Sequence, residues 1–307
     1  NCFLMQPVKV QIFFMRKIII VSVLLSGILL FCTCHNQQSS FEVSAQVEKL
    51  YKKQLDSFVQ STAAFTQLVK SAENKNILQE AFLSLRNKYK AVEVFAEYYN
   101  PSVAKAINGP AVFDAEPDNP EYPVPPSGLQ VIEPLLFDTS DYKPDGLIKE
   151  TASLQAAVAR LKMVSGSLQF TDAHIFDAMR MELFRMATLG ASGYDTPICL
   201  SAISEIPATL TALHLYITPY ISYYPQISFD SLERQFAAAA LFAENNSDFN
   251  RFDRIVFLSQ FLNPLCKQLS KMQNYAGIAY FNEPRLLRSN AITLFDENAF
   301  NPYFNAP

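Results

Sequence analysis

Apolar residues recur at the three- and four-residue spacing of an amphipathic helix through most of this chain, and this periodicity limits its fold class more than any other feature. They mark one helical face from Val47 to Val59 and again from Leu78 to Phe95. No strand-like alternation continues for more than a few residues. The sequence therefore predicts an all-α body. Further helical segments are predicted at about 144–164, 171–189, 198–217, 229–245 and 252–276.

A proline-rich segment interrupts this periodicity. Nine of the 18 prolines lie between residues 101 and 146. A long connection inside a compact domain is usually functional or wraps around the body. Within it, residues 127–137 can form a short helix, for which Ser127 is a suitable cap. The simplest architecture is a helical bundle of two four-helix halves joined through this proline-rich arm.

Local signals predict several boundaries and exposed faces. Asn100-Pro101 should end the second helix. Thr171 is a good N-cap, Gly190 and Gly193 should stop the helix that follows it, and Pro219 should separate two later helices. The basic residues of the first two helices are expected to lie on solvated faces; they are Lys49, Lys52, Lys53, Arg86, Lys88 and Lys90.

The N-terminal segment resembles an export signal. Met15-Arg16-Lys17 precedes an apolar run of 14 residues, Ile18–Phe31, which is short for a membrane span but typical of a signal peptide. We interpret residues 1–14 as read-through upstream of Met15, residues 15–34 as a lipoprotein-type signal segment, and residues 35–45 as a polar linker.

A cysteine at this junction indicates a lipid anchor. Cys34 is the expected lipidation site because it follows the small Thr33, whereas Cys32 follows the bulky Phe31. The alternative is a plain secretory signal with two incidental cysteines. Both interpretations predict export, and the first predicts a periplasmic or cell-envelope protein that contacts the membrane through its lipid.

Charge and cysteine usage exclude some functions. The formal net charge is -4, so the clustered positive charge of a nucleic-acid-binding protein is not expected. Cys199 and Cys266 lie far apart in the body and are predicted to be small buried thiols rather than a disulfide.

Sequence motifs for common catalytic and cofactor sites are absent. The chain contains no Cys-x-x-Cys-His for covalent haem, no His-Glu-x-x-His and no glycine-rich phosphate loop. His174 is predicted to be a satisfied surface residue in the first turn of a helix, and His214 a hydrogen-bonded core residue. We therefore predict no catalytic residue and no cofactor within this chain.

The most informative residues are Gly128, Gln130 and Glu133. Side chains three apart on a helix share a face, and a His–Glu pair at this spacing could share one metal ion. Here the first position is a neutral glutamine, and Glu133 alone is a weak metal ligand. We expect Gln130 and Glu133 to form a polar network that caps the short helix or ties the arm to the bundle.

The segment Gly128-Leu129-Gln130-Val131-Ile132-Glu133-Pro134-Leu135-Leu136-Phe137 resembles the Gly-x-His-x-x-Glu-x-Leu-Leu-aromatic signature of the imelysin family. The resemblance implies an extracytoplasmic helical bundle, often a lipoprotein, associated with iron or haem acquisition. The family's proposed metal ligands correspond to Gln130 and Glu133. The histidine is replaced by Gln130, which argues against metal binding and peptidase activity.

A second resemblance covers nearly all of residues 41–307. Tyr98 to Ala111, Gly128 to Glu133 and Leu294 to Pro302 are similar to the helical N-terminal extension of di-haem cytochrome c peroxidases of Bacteroidota. The resemblance implies a helical domain over 46–290 and, over 291–307, a linker to a C-terminal di-haem domain absent from this chain. Peroxide reduction, haem c and a small cytochrome electron donor would belong to that missing part.

Two other functions remain open. The chain could be a stand-alone imelysin-like lipoprotein in iron or haem uptake. It could also be a surface adaptor or a glycan-binding lipoprotein, although the absence of tryptophan weakens a sugar-stacking site.

Overall fold

The computed structural model describes residues 42–71, 74–113, 121, 123–138, 144–224, 230–281, 286–293 and 296–301. Regular structure in these ranges is helical, beside an isolated antiparallel bridge between Leu287 and Phe300, which confirms the all-α prediction. The predicted signal segment and Cys34 lie outside the described residues. No helix within them is long and apolar enough to cross a membrane.

The helices follow the predicted segments closely. The first, α1, covers 42–70. The others are α2 Lys75–Lys90, α3 Glu93–Tyr99, α4 Pro101–Asn108, α5 Leu129–Phe137, α6 Pro144–Ser165, α7 Asp172–Arg185, α8 Ala202–Tyr223, α9 Asp230–Asn245, α10 Arg254–Val256 and α11 Asn263–Tyr275.

Aromatic side chains fix α1 against its neighbours in one continuous apolar core. The Tyr51 hydroxyl also meets the Ser165 hydroxyl at 3.3 Å, which joins α1 to the end of α6. Large aromatic rings bury much apolar area and prefer tilted or edge contacts, so they fix how the helices pack. The pairs along α1 are Tyr51–Phe95, Phe58–Tyr89 and Phe65–Phe82, with ring centroids 5.4, 5.7 and 6.0 Å apart.

The proline-rich arm contains two helices that pack on α6. The second predicted helix is divided at residues 91–92 into α2 and α3. Asn100 ends α3, and α4 begins at once with Pro101 in its first position. Proline is tolerated there because the first amide of a helix has no intrahelical acceptor. The break in periodicity therefore marks a change of helix rather than a long loop at 101–108.

The prediction that Pro219 ends a helix is wrong. α8 continues to Tyr223 and contains both Pro207 and Pro219. Tyr216 and Tyr220 are buried on either side of Pro219, so packing outweighs the hydrogen bond that proline removes. α8 also begins later than predicted, because residues 191–201 form turns in which Leu200 has a φ of 54°.

Two helices contain π-helical turns. α7 is capped by Thr171, whose hydroxyl accepts the His174 N–H, and it continues as a π-helical turn over Met186–Gly190. The Thr171 cap was therefore predicted correctly. A second π-helical turn, Phe257–Leu262, joins α10 to α11. Such turns occur frequently at functional sites.

The described part of the predicted C-terminal linker packs on the body. Ala291 and Ala299 are buried, and Arg180 of α7 donates a hydrogen bond to the Arg288 carbonyl oxygen at 3.2 Å. Residues 286–301 are thus partly docked against α7 where they are described.

Candidate functional site

Gly128 places the start of α5 directly on the end of α4. Its φ is 91°, and a Cβ atom at this position would lie 2.2 Å from the Ile107 carbonyl oxygen. Only glycine adopts this conformation readily and allows so close an approach. Gly128 is itself the N-cap of α5, so the prediction that Ser127 caps the helix is wrong. The Ser127 hydroxyl instead donates to the Ala106 carbonyl oxygen at 3.1 Å.

Gln130 is buried and bound to the backbone of α4. Its Nε2 donates to the Asn108 carbonyl oxygen at 3.0 Å. Asn108 ends α4, where carbonyl groups have no intrahelical donor, so Gln130 satisfies an acceptor that would otherwise be buried without a partner. This bond joins the two helices of the arm, whereas the sequence predicted a tie between the arm and the bundle.

Glu133 is fully buried and holds the turns before α8. Its Oε1 accepts the backbone N–H groups of Ile198 and Cys199 at 3.0 and 2.7 Å. Its Oε2 is buried without a hydrogen-bond partner among the described residues. Two charge-assisted bonds to amides fix a carboxylate strongly, so Glu133 anchors these turns.

A fully buried ion pair completes the site. Arg86 of α2 binds Glu205 of α8 through Nε and Nη2 at 2.5 and 3.0 Å, and its Nη1 donates to the Asn108 Oδ1 at 3.2 Å. Burial acts to raise the pKa of Glu205, but the adjacent guanidinium outweighs it and holds that pKa below its usual value. Glu205 is therefore an ionised, paired carboxylate.

These contacts close into a ring of hydrogen bonds. The Cys199 thiol donates to the Ser201 hydroxyl at 3.2 Å, and that hydroxyl donates to Glu205 Oε1 at 2.8 Å. The path from Gln130 through these contacts ends at Glu133, and the backbone of α5, which carries both residues, closes the ring. We call these residues the motif ring: Gln130, Asn108, Arg86, Glu205, Ser201, Cys199 and Glu133.

A second group of charges, the carboxylate cluster, adjoins the ring. It consists of Lys90, Glu93, Glu97, Glu182, Arg185 and Asp195. Lys90 Nζ lies 2.8 Å from Glu93 Oε2, 2.9 Å from Asp195 Oδ2 and 3.9 Å from Glu205 Oε2. Burial would raise the pKa of Asp195, but Lys90 outweighs it and lowers that pKa. Arg185 Nη2 lies 3.2 Å from Glu97 and 3.4 Å from Glu93.

Most members of the carboxylate cluster (Lys90, Glu93, Glu182, Arg185 and Asp195) line a cavity of about 10 Å³. This is roughly the space that one water molecule requires. The π-helical turn after α7 contributes Met186 and Gly190 to its wall, and α8 contributes Ala202, Ile206 and Thr209. The cavity is therefore too small for an organic substrate or a haem.

Two basic side chains are buried, although the sequence predicted that they would be exposed. Arg86 and Lys90 were expected on a solvated face, but their exposed fractions are 0% and 6%. The signal was their spacing from Phe82: Arg86 follows it by four residues and Lys90 by eight, which places both on the apolar face of α2. Lys49, Lys53 and Lys88 are exposed as predicted.

His174 and His214 make their contacts outside the motif ring. His174 is half-buried, its Nδ1 meets the Thr171 hydroxyl at 2.8 Å, and its ring contacts Tyr98, Tyr99 and Phe281. His214 is not a hydrogen-bonded core residue, because its side chain is 40% exposed and its Nε2 has no hydrogen-bond partner among the described residues.

The two described cysteines are free thiols, as predicted. Cys266 is buried, whereas Cys199 is half-buried beside Glu133. Burial raises the pKa of Cys199 to about 11 and that of Cys266 to about 12. Since the thiolate is the reactive form, neither is an activated nucleophile.

The donor set at Glu133 does not fit a transition ion. Oε1 is occupied by two amides, Gln130 is bound to Asn108, and the Arg86 charge acts on Glu133 from nearby. Three His, Cys, Asp or Glu side chains do not converge on a metal-binding geometry anywhere in the described ranges. No protein-family model matches the chain, and comparison with curated proteins finds no significant match.

Proposed function

We propose that this chain is a non-catalytic, imelysin-like helical module of an envelope-anchored protein related to cytochrome c peroxidases. The anchor would be a lipid on Cys34. Peroxide reduction would take place in a C-terminal di-haem domain supplied with electrons by a small cytochrome. The helical module would orient or cover that domain.

The motif ring is the observation that supports this proposal. Both side chains of the imelysin-like motif are bound to backbone groups: Gln130 to Asn108, and Glu133 to Ile198 and Cys199. A motif used in this way connects α2, α4, α5, α8 and the turns before α8 instead of presenting a ligand. A rigid helical scaffold is what a supporting module requires.

The test is to isolate the natural protein from its source with an antibody against this chain. We expect a polypeptide longer than 307 residues that carries covalent haem and reduces hydrogen peroxide with a reduced cytochrome. An isolated polypeptide that ends with this chain and contains no haem would refute the proposal.

Iron or haem uptake by a stand-alone module is the alternative. The buried Glu133 Oε2 without a hydrogen-bond partner is the observation that favours it, because a bound cation would satisfy this oxygen, although the other donors around Glu133 do not fit a transition ion. Metal analysis of the purified chain distinguishes the two functions, with Glu133→Ala as the test variant and exposed Glu244→Ala as its control. One equivalent of metal lost only in Glu133→Ala would establish uptake; no stoichiometric metal in any of the three proteins is expected for the supporting module.

A further inference from the structure

Glu182 of α7 is the carboxylate in the cluster that no cation pairs closely. It is almost fully buried, and its Oε2 has no hydrogen-bond partner among the described residues. The nearest guanidinium nitrogen, Arg185 Nε, lies 3.7 Å away, which is too far for a hydrogen bond. Glu182 also lines the water-sized cavity.

Lys90 and the Nη2 of Arg185 are engaged with other carboxylates, while Arg185 Nε, like Glu182 Oε2, is buried without a hydrogen-bond partner among the described residues. Lys90 binds Glu93 and Asp195, whereas Arg185 reaches Glu93 and Glu97. Within the described ranges, the cluster and the ring together thus contain three cationic side chains and six carboxylate side chains. The charged and titratable groups that surround Glu182 are Arg86, Tyr89 and Lys90 of α2, Glu93 and Glu97 of α3, Arg185 of α7, Asp195 in the turns before α8, and Glu205 of α8.

An ionised carboxylate in this position would be buried, unpaired and close to other negative charges, which is very unfavourable. A neutral carboxyl group removes that cost and gains an O–H donor. Glu93 lines the same cavity and offers a carboxylate acceptor. We propose that Glu182 carries a proton in the folded protein at neutral pH, with its O–H donating a hydrogen bond to Glu93, so that unfolding releases one stored proton.

Electrostatic reasoning agrees with the geometry. Burial first, and the Glu93 charge second, raise the pKa of Glu182 well above its usual value. Burial also raises the pKa of Glu97, but Glu97 accepts the Tyr89 hydroxyl at 3.0 Å and has Arg185 beside it. The proton is therefore assigned to Glu182 rather than to Glu97.

This assignment sets the sign of a pH effect. At a pH below the ordinary carboxyl pKa, Glu182 is protonated in both states, and its contribution to stability is fully present. At a pH above that ordinary pKa, Glu182 loses its proton in the unfolded chain but retains it in the folded protein. Relative to a variant whose residue at this position does not titrate, the unfolding equilibrium constant therefore rises about tenfold for each pH unit. The rise ends when the pH reaches the pKa of Glu182 in the folded protein.

The experiment uses the full chain and compares wild type with Glu182→Gln, which mimics the neutral acid. Urea unfolding is measured from about pH 5 to about pH 7, where an unfolded carboxyl group is ionised. The ratio of wild-type to variant unfolding constants is expected to rise about tenfold per pH unit. Glu244→Gln, at an exposed position on α9, is the control for loss of one charge and should show no such slope. A flat ratio for Glu182→Gln would overturn the proposal.

Infrared spectroscopy supplies a second readout, which does not require the variant to fold. The wild-type protein at neutral pH should show the carbonyl stretch of a protonated carboxyl group, and urea unfolding should abolish it. Glu182→Gln should lack this band, whereas Glu97→Gln should retain it. Absence of the band from the folded wild-type protein, or its loss only in Glu97→Gln, would overturn the assignment.

Discussion

Replacing Arg86 by methionine should destabilise the protein strongly. Arg86 and Glu205 are both buried and make two direct bonds at 2.5 and 3.0 Å. In Arg86→Met, Glu205 retains only the Ser201 hydroxyl at 2.8 Å and Lys90 at 3.9 Å. Removing one partner of a buried ion pair typically costs about 3–5 kcal/mol because the other charge stays buried.

The structure also predicts the effect of replacing the partner of Arg86, Glu205, by leucine. Glu205→Leu alone leaves the Arg86 charge buried beside the Asn108 side chain, so it should cost a similar amount. The double variant has neither charge, and apolar replacement of a whole buried pair is often nearly neutral. We therefore expect the double variant to be at least about 2 kcal/mol more stable than the sum of the single effects indicates.

Urea unfolding of the four proteins, with thermal melting as a second probe, measures this coupling. Each kcal/mol should lower the melting temperature by roughly 2–4 °C. The exposed pair Lys162–Asp56, at 2.8 Å, is the matched control, and Lys162→Met should cost less than about 1 kcal/mol. Additive single effects, or an Arg86→Met cost no larger than that of Lys162→Met, would refute the account of a buried ring held by this pair.

Three smaller effects follow from local geometry. Gly128→Ala should cost several times more free energy of unfolding than Gly277→Ala, because both have positive φ but only Gly128 has backbone within 2.2 Å of an added Cβ. Thr171→Ala should cost about 1 kcal/mol through loss of the α7 cap, measured by urea unfolding. Cys199 and Cys266 should react with a thiol reagent at neutral pH only after unfolding, since their pKa values are about 11 and 12; rapid reaction of the folded protein would contradict this.

Helix location could be predicted from the sequence because the apolar residues that a helix buries recur every three to four positions. The segments later found as α6 and α9 were each predicted to within a few residues, and the predicted segment 252–276 matches α10, its π-helical turn and α11 taken together. Errors occurred where tertiary packing decides the outcome. Pro219 does not end α8, because the tyrosines on either side of it are buried.

The candidate site could be predicted only in part. The spacing of Gln130 and Glu133 correctly indicated polar roles for both side chains, but only Glu133 ties the arm to the body, whereas Gln130 joins the two helices of the arm. Their partners could not be found by local pattern, because Asn108 lies on α4 and the Ile198 and Cys199 amides lie in the turns before α8. Arg86 was assigned to solvent because charged residues are rarely buried without a partner, and its partner Glu205 is 119 residues away in sequence.

Hydrogen exchange of the Ile198 and Cys199 amides tests the role of Glu133 most directly. Both amides should be protected in the wild-type protein, should lose protection in Glu133→Ala, and should be unaffected by added iron or zinc. Protection that persists in Glu133→Ala, or that changes when stoichiometric metal binds, would mean that this carboxylate serves coordination rather than the backbone.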